Sequence, residues 1–386
     1  MKLSYKLLAL TLAALGMMTD HARALIMIDT VPVGNAGNAA DQNYFGQGAY
    51  GAVSYDYAIG KYEVTLNQYT SFLNAVGATD TYSLYNIAMS MSRTAAGIAR
   101  NGVSGGYTYS VIGSGNRPVT FVNWYDSARF VNWLHNGQPS GAQTAGTTET
   151  GAYTLNGALS GIILRNANAR YGLPSEDEWY KAAYHQPVGQ GGDSDDYWLY
   201  PTASNVIPNS RNGSASDANS ANFYRDDGIV NGYNGGYPVN DSIFLPTGGA
   251  LTDAGAFSLA DSYYGTFDQG GNVAEWNDAV NGPARGVRGG SWDNMTPRAG
   301  LDLSGSFRGF ANPAGAESDF IGFRTSSSSP NQPLADCWRW EYPCWFGNNG
   351  ALRNAQRQIC YPILVQQISK ILCISSRPIL LKEDVS

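Results

Sequence analysis

Cysteine and histidine are scarce in this chain of 386 residues. All four cysteines stand close to its C-terminal end, as Cys337, Cys344, Cys360 and Cys373. The preceding part of the chain must therefore fold without a disulfide, which a body of that length can do because its core is large enough. After residue 24 only His135 and His185 remain, whereas a His-rich zinc or iron site brings together three or four ligands. The sequence thus excludes such a site.

Positive charge is also scarce. Residues 25–330 contain 15 Lys and Arg against 26 Asp and Glu, and Lys61 and Lys181 are their only lysines. Nucleic-acid binding depends on clustered basic side chains that neutralise phosphates. We therefore expect no nucleic-acid partner, and the acidic body suits metal cations better than polyanions.

The first 24 residues have the pattern of a secretory signal. Lys2 and Lys6 precede an apolar run at 7–18, and Ala22-Arg23-Ala24 follows as a cleavage site. We therefore expect an exported protein, in the periplasm, at the cell surface or secreted. A membrane-spanning helix needs about 20 apolar residues, and polar side chains interrupt the apolar stretch 362–381. No stable membrane span is predicted.

Three segments carry the signature of a helix N-terminus. Thr65 and Ser175 are each followed three positions later by Gln or Glu, which makes a capping box, and Asn123 can cap a third helix. Apolar residues recur at helical spacing after each cap. We predict helices that begin after these three residues, the first of them ending near Val76.

The rest of the body is rich in Gly, Asn, Ser and Tyr, which is typical of turns and long loops. Short strands are predicted at 54–59 and 161–164. Surface loops are predicted at 101–116, 136–162 and 186–220.

The composition changes after the serine run 326–329. The composition rich in turn-forming residues ends there, and all the cysteines follow. Their spacings lack the C-x₂₋₄-C knuckle of a zinc site. We therefore divide the chain into a signal at 1–24, a body at 25–326 and a tail at 327–386. The tail is expected to be disordered or an aberrant extension, such as the product of a reading-frame change.

Seven sequence blocks follow one another in a characteristic order. They are IGKYEVT (59–65), RPVTFVNWYDSA (117–128), YGLPSEDEW (171–179), AN (221–222), DQGGNVAEW (268–276), RGGSW (288–292) and IGFR (321–324). In this order they resemble the formylglycine-generating enzyme family, or sulfatase-modifying factor family, over residues 27–326. The resemblance implies an irregular α+β fold related to C-type lectin domains, with little regular secondary structure and a few helices around one small twisted sheet.

Three tryptophans in these blocks could serve either the core or a ligand. Trp124, Trp179 and Trp276 are large enough to anchor a core, and their rings could also stack on a sugar. We interpret all three as core anchors.

The resemblance implies calcium at two places. The 268–275 loop resembles a calcium site that would use the Asp268 side chain and the main-chain oxygens of Gln269, Gly271 and Val273. A second site would use the Asn222 side chain and the main-chain oxygen of Phe223, completed by Asn231-Gly232-Tyr233, Asp226 or Asp227. Calcium takes about six to eight oxygen ligands of these kinds. The alternative is that Asp268 and Asn222 only cap turns.

The family's oxidase chemistry depends on two cysteines that bind Cu(I) and exchange with a substrate cysteine. The resemblance places these cysteines at Asn294 and Ala299, which supply no thiolate. Ser291 of the same region is kept, and Ala274 replaces a family tryptophan. Copper is therefore not expected, and no catalytic residue is assigned.

Two classes of function remain open. The favoured one is a pseudoenzyme: a non-catalytic, calcium-stabilised binding or surface module that contacts a protein or glycan outside the cytoplasm. The alternative is an enzyme, either a formylglycine-generating oxidase whose thiols come from the tail or a cysteine-independent chemistry in the same groove. The missing cysteine pair argues against oxidation of a substrate cysteine.

Overall fold

The computed structural model describes residues 25–42, 49–210, 217–226, 235–240, 242, 244, 246, 249–293, 302–311 and 314–328. All of them belong to the unit Met1–Trp338, and the second unit, Arg339–Ser386, contains none of them. The predicted signal and nearly all of the predicted tail lie outside the described residues. The division of the chain at residues 24 and 326 therefore stays a prediction.

The described part of the chain contains the helices α1 Leu66–Val76, α2 Ala88–Met91, α3 Trp124–His135 and α4 Glu176–Tyr184. Capping boxes at Thr65, Asn123 and Ser175 start α1, α3 and α4. In each box the cap side chain and the side chain three residues later satisfy each other's backbone N–H groups. The three predicted helices are confirmed. No helix of the described residues is long and apolar enough to cross a membrane.

The strands of the described residues, β1 to β12, are short. They are Thr30–Val33, Tyr57–Gly60, Ile98–Asn101, Thr108–Val111, Tyr171–Gly172, Arg225–Asp226, Gly235–Gly236, Ala274–Asn281, Ala284–Arg288, Gly309–Ala311, Ile321–Phe323 and Ser326–Ser327. They form two four-stranded sheets, ordered β1-β2-β12-β5 and β10-β9-β8-β11, and the hairpins β3-β4 and β6-β7. The α+β class with little regular secondary structure is confirmed, although two small sheets stand where one was expected.

The two strand predictions need correction. β2 begins at Tyr57 rather than at residue 54. Residues 161–164 form no strand, because Ile162 and Leu164 are 60% and 69% exposed and have no core to cover. Only the next residue, Arg165, makes a single bridge to Tyr153.

Two predicted surface loops also hold ordered structure. The segment 101–116 contains β4. The segment 136–162 contains a π-helical turn, Ala145–Glu149, whose last residue is buried against α3. There the Glu149 carboxylate accepts hydrogen bonds of 2.7 and 3.0 Å from Arg129. Buried charges persist only when paired in this way, so this turn belongs to the interior.

The main hydrophobic core joins α1 and α3 to the sheet that contains β8. Phe72 of α1, Phe130 of α3 and Phe323 of β11 meet edge to face, with ring centroids 5.4 Å apart in both pairs. Aromatic pairs in this geometry stabilise a core beyond the area they bury.

The three tryptophans are fully buried. Trp124 and Trp276 belong to the main core, and Trp179 of α4 belongs to a smaller aromatic cluster. The Trp276 indole N–H donates to the Val122 carbonyl at 2.9 Å, so its polar edge is satisfied within the interior. Their interpretation as core anchors is confirmed.

The fold brings distant sequence blocks together. β8 continues the 268–275 loop and pairs with β9 on one side and, in parallel, with β11 on the other. β11 leads through Arg324 to β12, which pairs with β2. The blocks at 59–65, 268–276 and 321–324 therefore meet around one arginine.

Candidate functional site

The 268–275 loop turns sharply before it enters β8. Asp268 and Asn272 have left-handed backbones, with φ of 58° and 56°, which Asp and Asn tolerate better than most residues. A Cβ at Gly271 would lie 2.5 Å from the Asn222 carbonyl oxygen. Main-chain hydrogen bonds run from Gly271 to Gly289 at 2.9 Å and from Asn272 to Asn222 at 2.7 Å. The loop is therefore fixed to its neighbours.

A buried ion pair lies directly behind this loop. Glu275 and Arg324 are both 0% exposed and share two hydrogen bonds of 2.6 Å. The Trp179 indole N–H donates to the same carboxylate at 2.7 Å. Arg324 also donates to the carbonyl oxygens of Gly60 at 2.9 Å and Phe267 at 2.8 Å. Both charges are thus matched by several hydrogen bonds, as burial requires.

Glu63 is a second buried carboxylate in this place, and the sequence analysis missed it. Its Oε1 accepts a hydrogen bond from the Asn272 amide at 3.1 Å, while Oε2 has no partner among the described residues. Burial and the neighbouring Asp268 carboxylate raise the pKa of Glu63 well above its usual range. The sequence carried only a weak sign that Glu63 is buried, because an acidic residue between apolar neighbours usually lies on the outer face of a strand.

Asp268, the side chain predicted to bind calcium, completes the cluster. Its Oδ2 accepts a hydrogen bond of 2.6 Å from the Gly255 N–H. Loss of hydration raises the pKa of Asp268 to about 6, although the hydrogen bond and Arg324 lower it. The carboxylates of Glu275, Glu63 and Asp268 all interact electrostatically with the one guanidinium of Arg324. A bound cation would relieve this excess of negative charge.

The other predicted ligands of this loop lie beside the cluster. The Gln269 side chain is used within the fold, where its amide donates to the Trp179 carbonyl at 3.1 Å. Its main-chain oxygen lies 2.6 Å from the place that a Cβ at Gly289 would take, so only a glycine there allows this close approach. The Val273 side chain is fully buried, which leaves only its main chain to face a ligand.

The second predicted calcium position adjoins the first. Asn222 is 1% exposed, and its amide donates to Ala250 at 2.9 Å and to the Asn272 side chain at 3.0 Å. Its Oδ1 has no partner among the described residues. Phe223 is fully buried. The completing candidates Asp227, Asn231, Gly232 and Tyr233 lie outside the described residues, as does the side chain of Asp226.

Ser291 follows the paired glycines of its block and is 4% exposed. Its Oγ accepts a long hydrogen bond of 3.4 Å from the Asp293 N–H. Burial and the Asp319 carboxylate raise the pKa of Asp293, and Asp319 accepts a hydrogen bond of 2.7 Å from the Thr94 hydroxyl. The fold therefore brings the Asp319 carboxylate close to that of Asp293, two residues after Ser291. Sequence reasoning missed this pair because Asp319 is distant along the chain.

Comparison with known families identifies the fold. The profile described as "Sulfatase-modifying factor enzyme 1-like domain" matches residues 24–328. The chain belongs to this family. The resemblance carried by the seven sequence blocks is confirmed, and so is the fold that it implied.

Three solved structures are similar to this member of the sulfatase-modifying factor family. CarF is 22% identical, with a TM-score of 0.45 over 79% of this chain and 99% of its own. Treponema denticola variable protein 1 is 17% identical, with a TM-score of 0.42, and the match covers 80% of this chain and 98% of that protein. PvdO from Pseudomonas aeruginosa is 16% identical, with a TM-score of 0.36, and the match covers 78% of this chain and 92% of that protein. No curated protein matches the chain. Such distant similarity assigns no activity.

Asn294 and Ala299, the positions at which the resemblance predicted the family's thiols, lie outside the described residues. Their identities are nevertheless known from the sequence, and no cysteine precedes Cys337. Ala274, at the place of a family tryptophan, is buried as the first residue of β8. No cysteine of the body could therefore supply the thiol pair that the resemblance implies.

The described residues contain no group of three or more His, Cys, Asp or Glu side chains arranged to hold a metal ion. The calcium site implied by the family resemblance relies mainly on carbonyl oxygens, so it would not form such a group. The unpartnered oxygens of Glu63 and Asn222 fit a cation that takes oxygen ligands.

Proposed function

We propose that the protein is an exported, non-catalytic binding module of the sulfatase-modifying factor family, stabilised by calcium. The observation that carries this proposal is the absence of cysteine before Cys337, with Asn294 and Ala299 at the thiol positions. Neither side chain can bind Cu(I) or exchange with a substrate cysteine. The fixed scaffold and long loops then serve to bind a protein or glycan, and the acidic body makes nucleic acid an unsuitable partner.

Calcium would bind at the 268–275 loop. Asp268 would supply a carboxylate, and Gln269, Gly271 and Val273 would supply main-chain oxygens. Asn222 and Phe223 would serve the adjoining position, and Glu63 adds an unpartnered carboxylate oxygen nearby. The ion would offset the excess negative charge around Arg324, so it should bind the folded chain and not the unfolded one.

Thermal unfolding tests the calcium proposal. A ligand of the folded state alone stabilises by about 2.7 kcal/mol at a hundredfold excess over its Kd, which raises the melting temperature by several degrees. Asp268→Asn should abolish this rise. Asp261→Asn, which changes an exposed carboxylate, should keep it. Equal melting of the wild type in calcium and in chelator, or an unchanged rise in Asp268→Asn, would contradict the proposal.

Copper titration tests the non-catalytic proposal. The matched control replaces the four tail cysteines with serine at positions 337, 344, 360 and 373. Any tight Cu(I) binding by the full chain should vanish in this variant, because the body supplies no thiolate. Tight binding that persists without the tail cysteines would show that the body holds a copper site.

A second candidate is a cysteine-independent enzyme, favoured by the carboxylates of Asp293 and Asp319, which lie close together. A carboxylate pair in which one pKa is raised can serve general acid–base catalysis. A screen with chromogenic glycosides and esters would detect hydrolysis. Activity that is present in the wild type and lost in Asp293→Asn would favour this candidate over a binding module.

A further inference from the structure

A cavity of about 390 Å³ opens beside the N-terminal end of α1. This volume is within the range of small-molecule sites, about 300–1,000 Å³. Main-chain hydrogen bonds tie its walls together: Lys61 donates to Asp29 at 2.8 Å, Asn67 to Gly115 at 2.9 Å, and Ala254 to Asn116 at 3.0 Å. Because the backbone cross-links the walls, the cavity is formed before any ligand arrives, which lowers the entropic cost of binding.

Four polar side chains line this cavity without a hydrogen bond to any described residue: Asp29, Tyr62, Asn67 and Asn116. The two amides can each donate and accept, the phenol hydroxyl can do both, and the carboxylate accepts. Hydroxyl groups also donate and accept, so a ligand with many hydroxyl groups can satisfy this mixed set. A second carboxyl side chain that lines the cavity, Glu63, belongs to the cluster around Arg324.

The charges around the cavity exclude an anionic ligand. No Lys or Arg lines it, and the exposed carboxylate of Asp29 would repel phosphate, sulfate or a uronic acid. Lys61 is close, but its ammonium group lies over the rings of Tyr62 and Phe267, 5.3 Å from each centroid. The ligand should therefore carry no negative charge.

The Tyr62 ring gives the cavity one flat apolar surface. It packs on Phe267 with centroids 5.5 Å apart and an interplanar angle of 30°. Gly255, with φ of 74°, lies so close that a Cβ there would be 2.5 Å from Tyr62 Cε1. The ring is thus held in place by a second ring and by the main chain. A fixed aromatic surface can cover an apolar ligand face at low entropic cost.

We propose that this cavity binds a neutral saccharide. Tyr62 contacts the apolar face of a sugar ring, while Asn67, Asn116 and Asp29 bond to its hydroxyl groups. The inference rests on the proposed function, of which it specifies the ligand class and the place. A peptide is the competing ligand class, and the experiment includes it.

Isothermal titration of the full chain tests this proposal. The probes are neutral fragments of glucan, xylan, mannan and galactan, their sulfated forms and a mixture of short peptides. One neutral fragment should bind, and its sulfated form should bind more weakly. The double variant Asn67→Ala/Asn116→Ala should lose affinity about tenfold, since two hydrogen bonds are removed. Asn101→Ala is the matched control, because all three asparagines are exposed and such changes rarely disturb folding.

Three results would overturn the saccharide proposal. They are binding of no neutral fragment, equal binding by the double variant, and preference of the cavity for the sulfated fragments or the peptides. None of these results would contradict the proposed non-catalytic binding module, because its ligand could bind to another face of the protein. Conversely, formation of formylglycine in a test peptide would contradict the proposed function without touching this cavity, so the two failures are distinguishable.

Discussion

Replacing Glu275 by glutamine tests the ion pair at the centre of the candidate site. Glu275 and Arg324 are completely buried and joined by two hydrogen bonds of 2.6 Å. Removal of one partner from such a pair leaves an uncompensated charge and costs about 3–5 kcal/mol. The loss should lie near the lower limit, because Glu63 and Asp268 also act on Arg324 and can supply negative charge. A loss of about 3 kcal/mol lowers the melting temperature by roughly 6 °C.

Circular dichroism during heating and urea unfolding measure this loss. The matched control is Asp261→Asn, an exposed carboxylate, which should change the free energy of unfolding by less than about 0.5 kcal/mol. If Glu275→Gln unfolds with the wild-type free energy, the pair does not hold the sequence blocks together as argued.

Three further predictions concern single side chains. With calcium chelated, the Asp268 pKa of about 6 exceeds its ordinary value of about 3.9, so stability should fall as the pH rises from about 4 to 6. Thermal melts of Asp268→Asn should show a shallower slope, and the buried Glu63, whose pKa is also raised, accounts for part of the slope that remains. Gly289→Ala places a Cβ 2.6 Å from the Gln269 oxygen at φ 97° and should lower the melting temperature more than Gly282→Ala, which meets nothing. Ser175→Ala should cost about 1 kcal/mol in urea unfolding, through the lost cap. The first prediction is contradicted if Asp268→Asn and the wild type lose stability equally with pH. The second is contradicted if the two glycine variants melt at the same temperature, and the third if Ser175→Ala keeps the wild-type urea midpoint.

The helices could be predicted because their signals are local. A cap and the residue three positions later specify where a helix begins, whatever the rest of the chain does. The strands have two to eight residues, and their pairing depends on partners far along the chain. The apolar run 161–164 shows the difference: its composition suits a strand, but Ile162 and Leu164 find no core and stay exposed.

The candidate site was only partly predictable for the same reason. The sequence identified the 268–275 loop, since its Asp, Gly and Asn residues are adjacent. The bond between Glu63 and Asn272 joins residues 209 positions apart, and no single block shows it. The block order did indicate the family, and the profile match confirms it. The side chains that meet around Arg324 could not be predicted, because their contacts depend on the pairing of β8, β11 and β12.

Mass spectrometry of a peptide containing Cys-x-Pro-x-Arg tests the central claim most directly. The peptide is incubated with the full chain, copper and oxygen, and in parallel with the variant whose four tail cysteines are serine. The absence of thiols at Asn294 and Ala299 predicts that the peptide cysteine keeps its mass in both samples. Replacement of CH₂–SH by CHO in either sample would contradict the non-catalytic account, and its loss in the serine variant would show that the tail supplies the thiols.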